Sequence, residues 1–205
     1  MAMPAGLTFQ QAAACAEGAH NAYNFLNKVK LQPGQKVLVH GATGAIGSAA
    51  VQFLKHAGIY VTATSNTKNI ELVQSLGADR VIDYEREDFT KDEEAYDFVF
   101  DAVGKSTFAK CKPLLKNGGV YISSELGPGG QNPFLALLTP LLGGKKVIFP
   151  LPFNIKRSMA FTQSLVEQGK FRPVIDREYP LEEIAAAFRY VHGGQKTGNV
   201  VIAIA

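Results

Sequence analysis

Apolar residues along this chain fall into short continuous runs at 36–40, 60–65, 80–83, 98–101, 120–123 and 146–149. Between and around these runs the spacing is helical: over 46–57, 67–76, 106–115 and 134–142, and again over 155–168 and 181–191. An earlier helical pattern covers 9–29 and ends at the turn signal Leu31-Gln32-Pro33-Gly34-Gln35, while a last strand is predicted at 199–204. Strands apolar on both faces, alternating with helices, predict an α/β fold: a doubly wound parallel sheet with helices covering both sides. The pattern divides into a helical lead-in (1–35), a central domain (36–170) and a C-terminal return segment of helix plus strand (171–205). An acidic, polar stretch at 85–94 interrupts it, and no internal repeat is present.

The first strand runs into "VLVHGATGAIGSAAVQF", with glycines at Gly41, Gly44 and Gly47 before an Ala-rich helix. Glycines at this spacing, after a β-branched strand and at a helix start, are what a dinucleotide requires. One lets the chain turn, one lets backbone approach the pyrophosphate, and one lets helix pack on strand. Ala42 replaces the first loop glycine of the stricter motif, leaving Ala42-x-Gly44-x-x-Gly47. The central domain therefore reads as a Rossmann-type dinucleotide domain. An NAD site usually places an acid at the end of the second strand, about 20 residues on. Here that stretch is "ATSNTKN", with Ser65, Asn66, Thr67 and Lys68 and no carboxylate from residue 60 to 70. Hydroxyls and an ammonium suit a 2′-phosphate, which favours NADP; the competing reading makes Lys68 an exposed cation in a helix's first turn. His40, at the mouth of the loop, either touches the phosphate or ribose or is satisfied locally.

Composition narrows the alternatives. The 21 basic and 18 acidic residues are scattered, which gives no basic face for nucleic acid. Cys15 and Cys111 form no C-x-x-C pair, and the four histidines have no metal-ligand spacing, so no metal is expected. The cysteine usage and the absence of a signal-like N-terminus fit a cytoplasmic protein. The stretch "PFLALLTPLLGG" is too short and too interrupted to span a membrane. No lysine follows the glycines as in a P-loop, and neither G-x-S-x-G nor Tyr-x-x-x-Lys occurs.

The blocks "LQPGQKVLVHGATGAIGSAAVQFLKHAG", "LGADRVIDY", "YDFVFDAVG", "LLKNGGVYIS" and "KTGNVVI" resemble the medium-chain dehydrogenase/reductases, especially their zinc-independent quinone oxidoreductase branch. The resemblance implies that the loop Ala42, Thr43, Gly44, Ala45, Ile46 and Gly47 cradles the pyrophosphate. It implies that Ser65, Lys68 and Tyr84 meet the 2′-phosphate, and that Val103 and Gly104 lie against the adenine ribose. Ser123, Ser124, Phe149 and Leu151 match positions beside the nicotinamide ribose and ring. Asn199 stands where the family usually has Lys, and Asn21 where many members have Thr. Glu17 lies near a ligand position of zinc-dependent relatives but reads here as a helix-start residue. Tyr84 also reads as a strand-end aromatic, and Val103-Gly104 as a plain turn.

The resemblance further implies NADPH as cofactor and hydride transfer to a quinone, enone or carbonyl. Family members carry a GroES-like catalytic domain before the "MPAGLTFQQAAA" segment, where this chain starts. The expectation is a cofactor-binding piece with little or no turnover alone, no assignable catalytic residue, and a return segment deprived of partners. Family dimers join sheets through the strand at 145–149, implying a homodimer here. The rival reading is a non-enzymatic dinucleotide sensor or scaffold.

Overall fold

The computed structural model describes residues 3–4, 6–151 and 153–204; the extreme ends of the predicted lead-in and return segment lie outside the described residues. Strands β1 (Lys36–His40), β2 (Tyr60–Ser65), β3 (Arg80–Asp83), β4 (Tyr96–Asp101), β5 (Leu115–Ser123) and β6 (Lys146–Ile148) form one sheet. All neighbours are parallel, in the order β3-β2-β1-β4-β5-β6. The helices are α1 (Phe9–Ala14), α2 (Glu17–Leu26), α3 (Ala45–His56), α4 (Ile70–Ser75), α5 (Phe108–Cys111), α6 (Gln131–Leu142), α7 (Ile155–Glu167) and α8 (Ile184–His192). Among the described residues no helix is long and apolar enough to cross a membrane.

Both faces of the central strands are buried, which is why they read as continuous apolar runs. Val37 and Val39 join a core with Tyr23, Phe25 and Phe53, whereas Leu38 between them joins the opposite core with Phe108 and Tyr121. Phe98 and Phe100 face the first core and Val99 the second. Successive side chains of a strand point to opposite faces, so one run supplies both layers. The strand order reverses between β1 and β4, opening a crevice above their C-terminal ends.

Three elements differ from the sequence pattern. The single helix predicted over 9–29 is two helices. Thr8 starts α1 with a reciprocal capping box to Gln11, and the chain turns at Cys15 and Ala16. The turn lets α2 lay Gly18 directly on the start of α3, where a Cβ would lie 2.7 Å from the Ala45 carbonyl oxygen. The helix predicted over 106–115 shortens to α5 plus the 3₁₀ turn Lys112–Leu114, because Pro113 removes an N–H and crowds the preceding turn. The return segment, expected to lack partners, pairs with itself and docks. β7 (Ile175–Pro180) and β8 (Asn199–Ala203) form a parallel ribbon, and Gly198 N–H donates to the Thr43 carbonyl at 2.6 Å.

Gly18→Ala is expected to push α2 away from α3 and cost about 1–3 kcal/mol, as overpacking in a close-packed layer does. Urea unfolding measures it; an unchanged midpoint would show that α2 does not depend on this approach.

Candidate cofactor site

The loop between β1 and α3 distributes three tasks over three glycines. Gly41 has φ +84°, and a Cβ on it would sit 1.6 Å from a Val103 methyl, so both conformation and space demand glycine. A Cβ on Gly47 would lie 2.1 Å from the Gly41 carbonyl oxygen, so α3 is seated on the loop by backbone contact. Gly44 is different: its φ of −77° is open to any residue and its nearest atom to an added Cβ is 3.7 Å away. Nothing inside the fold requires Gly44, and its bare backbone leaves the start of α3 open. That start has no side-chain cap, and Ser48 is the first residue to donate back, to the Gly44 carbonyl at 2.9 Å. Free amides at the start of a helix of this length attract an anion.

These residues wall a cleft of about 500 Å³, bordered by Gly41, Thr43, Gly44, Ala45 and Ile46 on one side and by Tyr84 and Val103 on the others. Ala42 is fully buried behind it, as is the helical face of Gly47. The β4 end is held by Asp101. Its Oδ1 accepts from the Val103 and Gly104 amides at 3.2 and 2.9 Å, and its Oδ2 from Ser106 N–H at 3.2 Å and the Tyr121 hydroxyl at 2.8 Å. His40 is satisfied locally: Nδ1 pairs with Thr64 Oγ1 at 2.9 Å, and the ring stacks on Phe89 at 4.3 Å. Burial lowers its pKa, opposed by Asp101 and reinforced by Lys105. The same Thr64 hydroxyl accepts the Gly41 amide at 3.0 Å.

The cleft also carries two cations that the sequence pattern did not single out, Lys105 and Lys196. Lys196 is half-buried, its Nζ donating to the Gly198 carbonyl at 2.7 Å; burial pushes its pKa down, with Glu17 and Asp176 opposing. A lysine in a Gly-rich turn reads as solvated, and only the docking of that turn onto Thr43 brings it to the cleft. Asp176 fixes the turn by accepting Thr197 N–H at 2.8 Å and the Tyr190 hydroxyl at 2.7 Å.

At the ends of β2 and β3 the structure gathers Ser65, Thr67, Lys68 and Tyr84. Ser65 is buried, its hydroxyl donating to the Asn66 carbonyl at 2.9 Å, whereas Lys68 is exposed. Carboxylates absent from this stretch of β2 arrive from β3. Asp83 Oδ2 accepts the Thr67 hydroxyl at 2.6 Å, and Glu85 Oε2 accepts the Thr67 amide at 3.0 Å. Tyr84 is half-exposed, with its pKa raised by desolvation and by Glu85 and Asp83.

On the opposite side, Ser123 Oγ accepts Glu125 N–H at 3.2 Å, and Ser124 Oγ is a buried hydroxyl with no partner among the described residues. Gly104 is pressed against Glu125, Phe149 is half-buried just past β6, and Leu151 is 49% exposed. Asn199 donates its side chain to the Val174 carbonyl at 2.9 Å, and Asn21 donates to Glu17 Oε1 at 2.9 Å. Cys15 and Cys111 are buried thiols, each pushed up to about 11 by burial and so poor nucleophiles at neutral pH. Among the described residues no group of three His, Cys, Asp or Glu side chains could hold a metal ion.

A switch-point crevice, an open helix start over a bare glycine, and an unpartnered buried hydroxyl at the far end fit an extended dinucleotide. Together they define a dinucleotide-binding α/β domain. Comparisons with known proteins narrow the class. A family model described as zinc-binding dehydrogenase matches residues 76–202. The chain is 34% identical over 205 residues to 2-methylene-furan-3-one reductase of Solanum lycopersicum, covering 97% of this chain and 48% of that protein. It is 32% identical to the chloroplastic NADPH-dependent alkenal/one oxidoreductase of Arabidopsis thaliana, with the same two coverages of 97% and 48%. Among solved structures, the quinone oxidoreductase from Coxiella burnetii superposes with a TM-score of 0.83 at 27% identity, covering 96% of this chain and 61% of that one. This chain belongs to the medium-chain dehydrogenase/reductases, in their quinone oxidoreductase-like branch. It spans about half the length of the curated relatives it matches.

The glycines separate experimentally. Gly47→Ala is expected to destabilise the fold by about 2 kcal/mol or more through backbone overlap. Gly44→Ala is expected to fold normally and weaken dinucleotide binding. Thermal melts alongside nucleotide fluorescence titrations read both; equal loss of stability in the two variants would contradict the division of roles.

Proposed function

We propose that the cleft binds NADP(H) and that the chain is the cofactor-binding part of an oxidoreductase acting on a quinone, enone or carbonyl. The observation that carries the reading is the uncapped start of α3 behind Gly44, at the point where the sheet order reverses. There the Ala45, Ile46 and Gly47 amides face the pyrophosphate, and Lys196 and Lys105, which line the same cleft, offset its charge. Lys68 and Tyr84 hold the 2′-phosphate, and Ser65, buried with its hydroxyl on the Asn66 carbonyl, shapes the turn beneath them rather than touching it. Val103 and Gly104, fixed by Asp101, support the adenine ribose. Ser123, Ser124, Phe149 and Leu151 orient the nicotinamide half, and Asn199 acts indirectly by securing the β8 turn through Val174. When bound, the nicotinamide supplies the hydride; the chain supplies binding, orientation and exclusion of water. No residue of the cleft is assigned a proton-transfer role, and turnover by this stretch alone is proposed to be low.

Relatives whose printed names specify NADPH or NAD(P)H support a nicotinamide cofactor. The choice of NADP rests on the hydroxyl- and lysine-bearing β2 end. Lys68→Ala is therefore expected to weaken NADPH about three- to ten-fold, the range for a charge-assisted contact at an exposed site, and leave NADH unchanged. Fluorescence titration with both nucleotides decides. No effect of the variant on NADPH binding would overturn the NADP assignment.

A homodimer through the β6 edge is part of the same proposal. Phe134, Leu137, Leu138, Leu141 and Leu142 of α6 are each more than half exposed, beside the last strand of the sheet. Thr139 Oγ1 already accepts the Val147 N–H at 2.9 Å, and Lys145 reaches back to the Lys112 carbonyl at 2.8 Å. Association is thus carried mainly by the apolar face of α6 rather than by continued pairing of strands. Sedimentation equilibrium should show a dimer that Leu138→Asp with Leu141→Asp converts to monomer; a monomeric unaltered chain would refute it.

A further inference from the structure

We infer that Glu85 sets the cofactor preference of the cleft, by holding down its affinity for the 2′-phosphate of NADPH. The inference rests on the reading above that Lys68 and Tyr84 form the 2′-phosphate contacts. The β2 end carries no acid of its own, which by sequence alone leaves the phosphate unopposed. The fold supplies one from the neighbouring strand. Tyr84 N–H bonds to the Ser65 carbonyl at 2.9 Å, which fixes the residue after Tyr84 against the β2 end. Glu85 follows, and its Oε2 lies 3.0 Å from the Thr67 amide, the donor between Ser65 and Lys68 along the chain.

Asp83 and Glu85 are not equivalent there. Asp83 is buried and committed: its Oδ1 accepts Glu85 N–H at 3.0 Å, its Oδ2 accepts the Thr67 hydroxyl at 2.6 Å, and Arg86 Nε stands 3.5 Å away. It holds β3 to the β2 end whatever is bound. Glu85 is exposed, and its carboxylate accepts the Thr67 amide. An arriving phosphate meets this carboxylate as a like charge and as the occupant of a backbone donor. A ribose bearing a free 2′-hydroxyl meets it as a hydrogen-bond acceptor, the role an acid at the end of the second strand serves in NAD sites. Glu85 thus discriminates against NADPH without penalising NADH, and the lysine-bearing β2 end works against it. The net preference is the difference between these opposed terms.

The test separates charge from contact. Glu85→Gln keeps a carbonyl oxygen for the Thr67 amide and removes the charge; Glu85→Ala removes both. Titration of each folded variant with NADPH and NADH should show NADPH tightened about three- to ten-fold by Gln and at least as much by Ala, with NADH unchanged or weaker. The NADPH gain should shrink in high salt, as an exposed charge effect does and a packing effect does not. Unchanged or weaker NADPH binding in Glu85→Gln, with Lys68→Ala still weakening NADPH, would overturn the role of Glu85 and leave the NADP site standing. If neither Lys68→Ala nor Glu85→Gln separates NADPH from NADH, the 2′-phosphate site itself is misplaced and this inference fails with it.

Discussion

The seating of α3 on the end of β1 is the contact on which the rest of the site depends. At Gly47 the helix comes so close to the Gly41 carbonyl that no side chain fits between them. That approach fixes the direction of the helix axis, and with it the direction in which the first free amides point. The same loop carries Gly41 in a left-handed conformation against Val103, so the turns after β1 and β4 close on each other over a gap too small for one methyl group. Close-packed interiors transmit such constraints because there is no slack to absorb them.

A small polar network holds these turns in place under the cleft. Asp101, fully buried, gathers three amides and the Tyr121 hydroxyl, and so organises the turn that bears Val103 and Gly104. The Thr64 hydroxyl joins His40 to the Gly41 amide. Buried polar groups arranged this way are costly if one partner is lost and specify one backbone geometry when complete. His40, stacked on Phe89 and bonded to Thr64, with its pKa lowered by burial, belongs to this framework.

The return segment closes the arrangement. The β7–β8 ribbon places Gly198 against Thr43 and Gly44, where the two backbones form an isolated bridge. The turn before it is tied to Asp176 and to Asn69, whose amide donates to the Thr197 hydroxyl at 3.1 Å. The loop between β1 and α3 is therefore flanked by chain from both ends of the sequence, and Lys196 enters the cleft because of that docking.

Much of this was legible in the sequence. The parallel sheet followed from apolar runs whose two faces are both buried, and the glycine loop from its position between a β-branched strand and a small-residue helix. Those signals are local: burial on both faces shows in every residue of a strand, and a backbone forced into close contact shows as glycine. The break between α1 and α2 was invisible because it is made by the fit of Gly18 to Ala45, residues far apart in the chain. For the same reason the sequence could show an acid-free β2 end, but only the pairing of β2 with β3 brings Asp83 and Glu85 beside Thr67. Residue types and their spacing determined the sheet and its loop; which charges face the cleft was decided by tertiary packing, because electrostatic neighbours are set by distance in space and not along the chain.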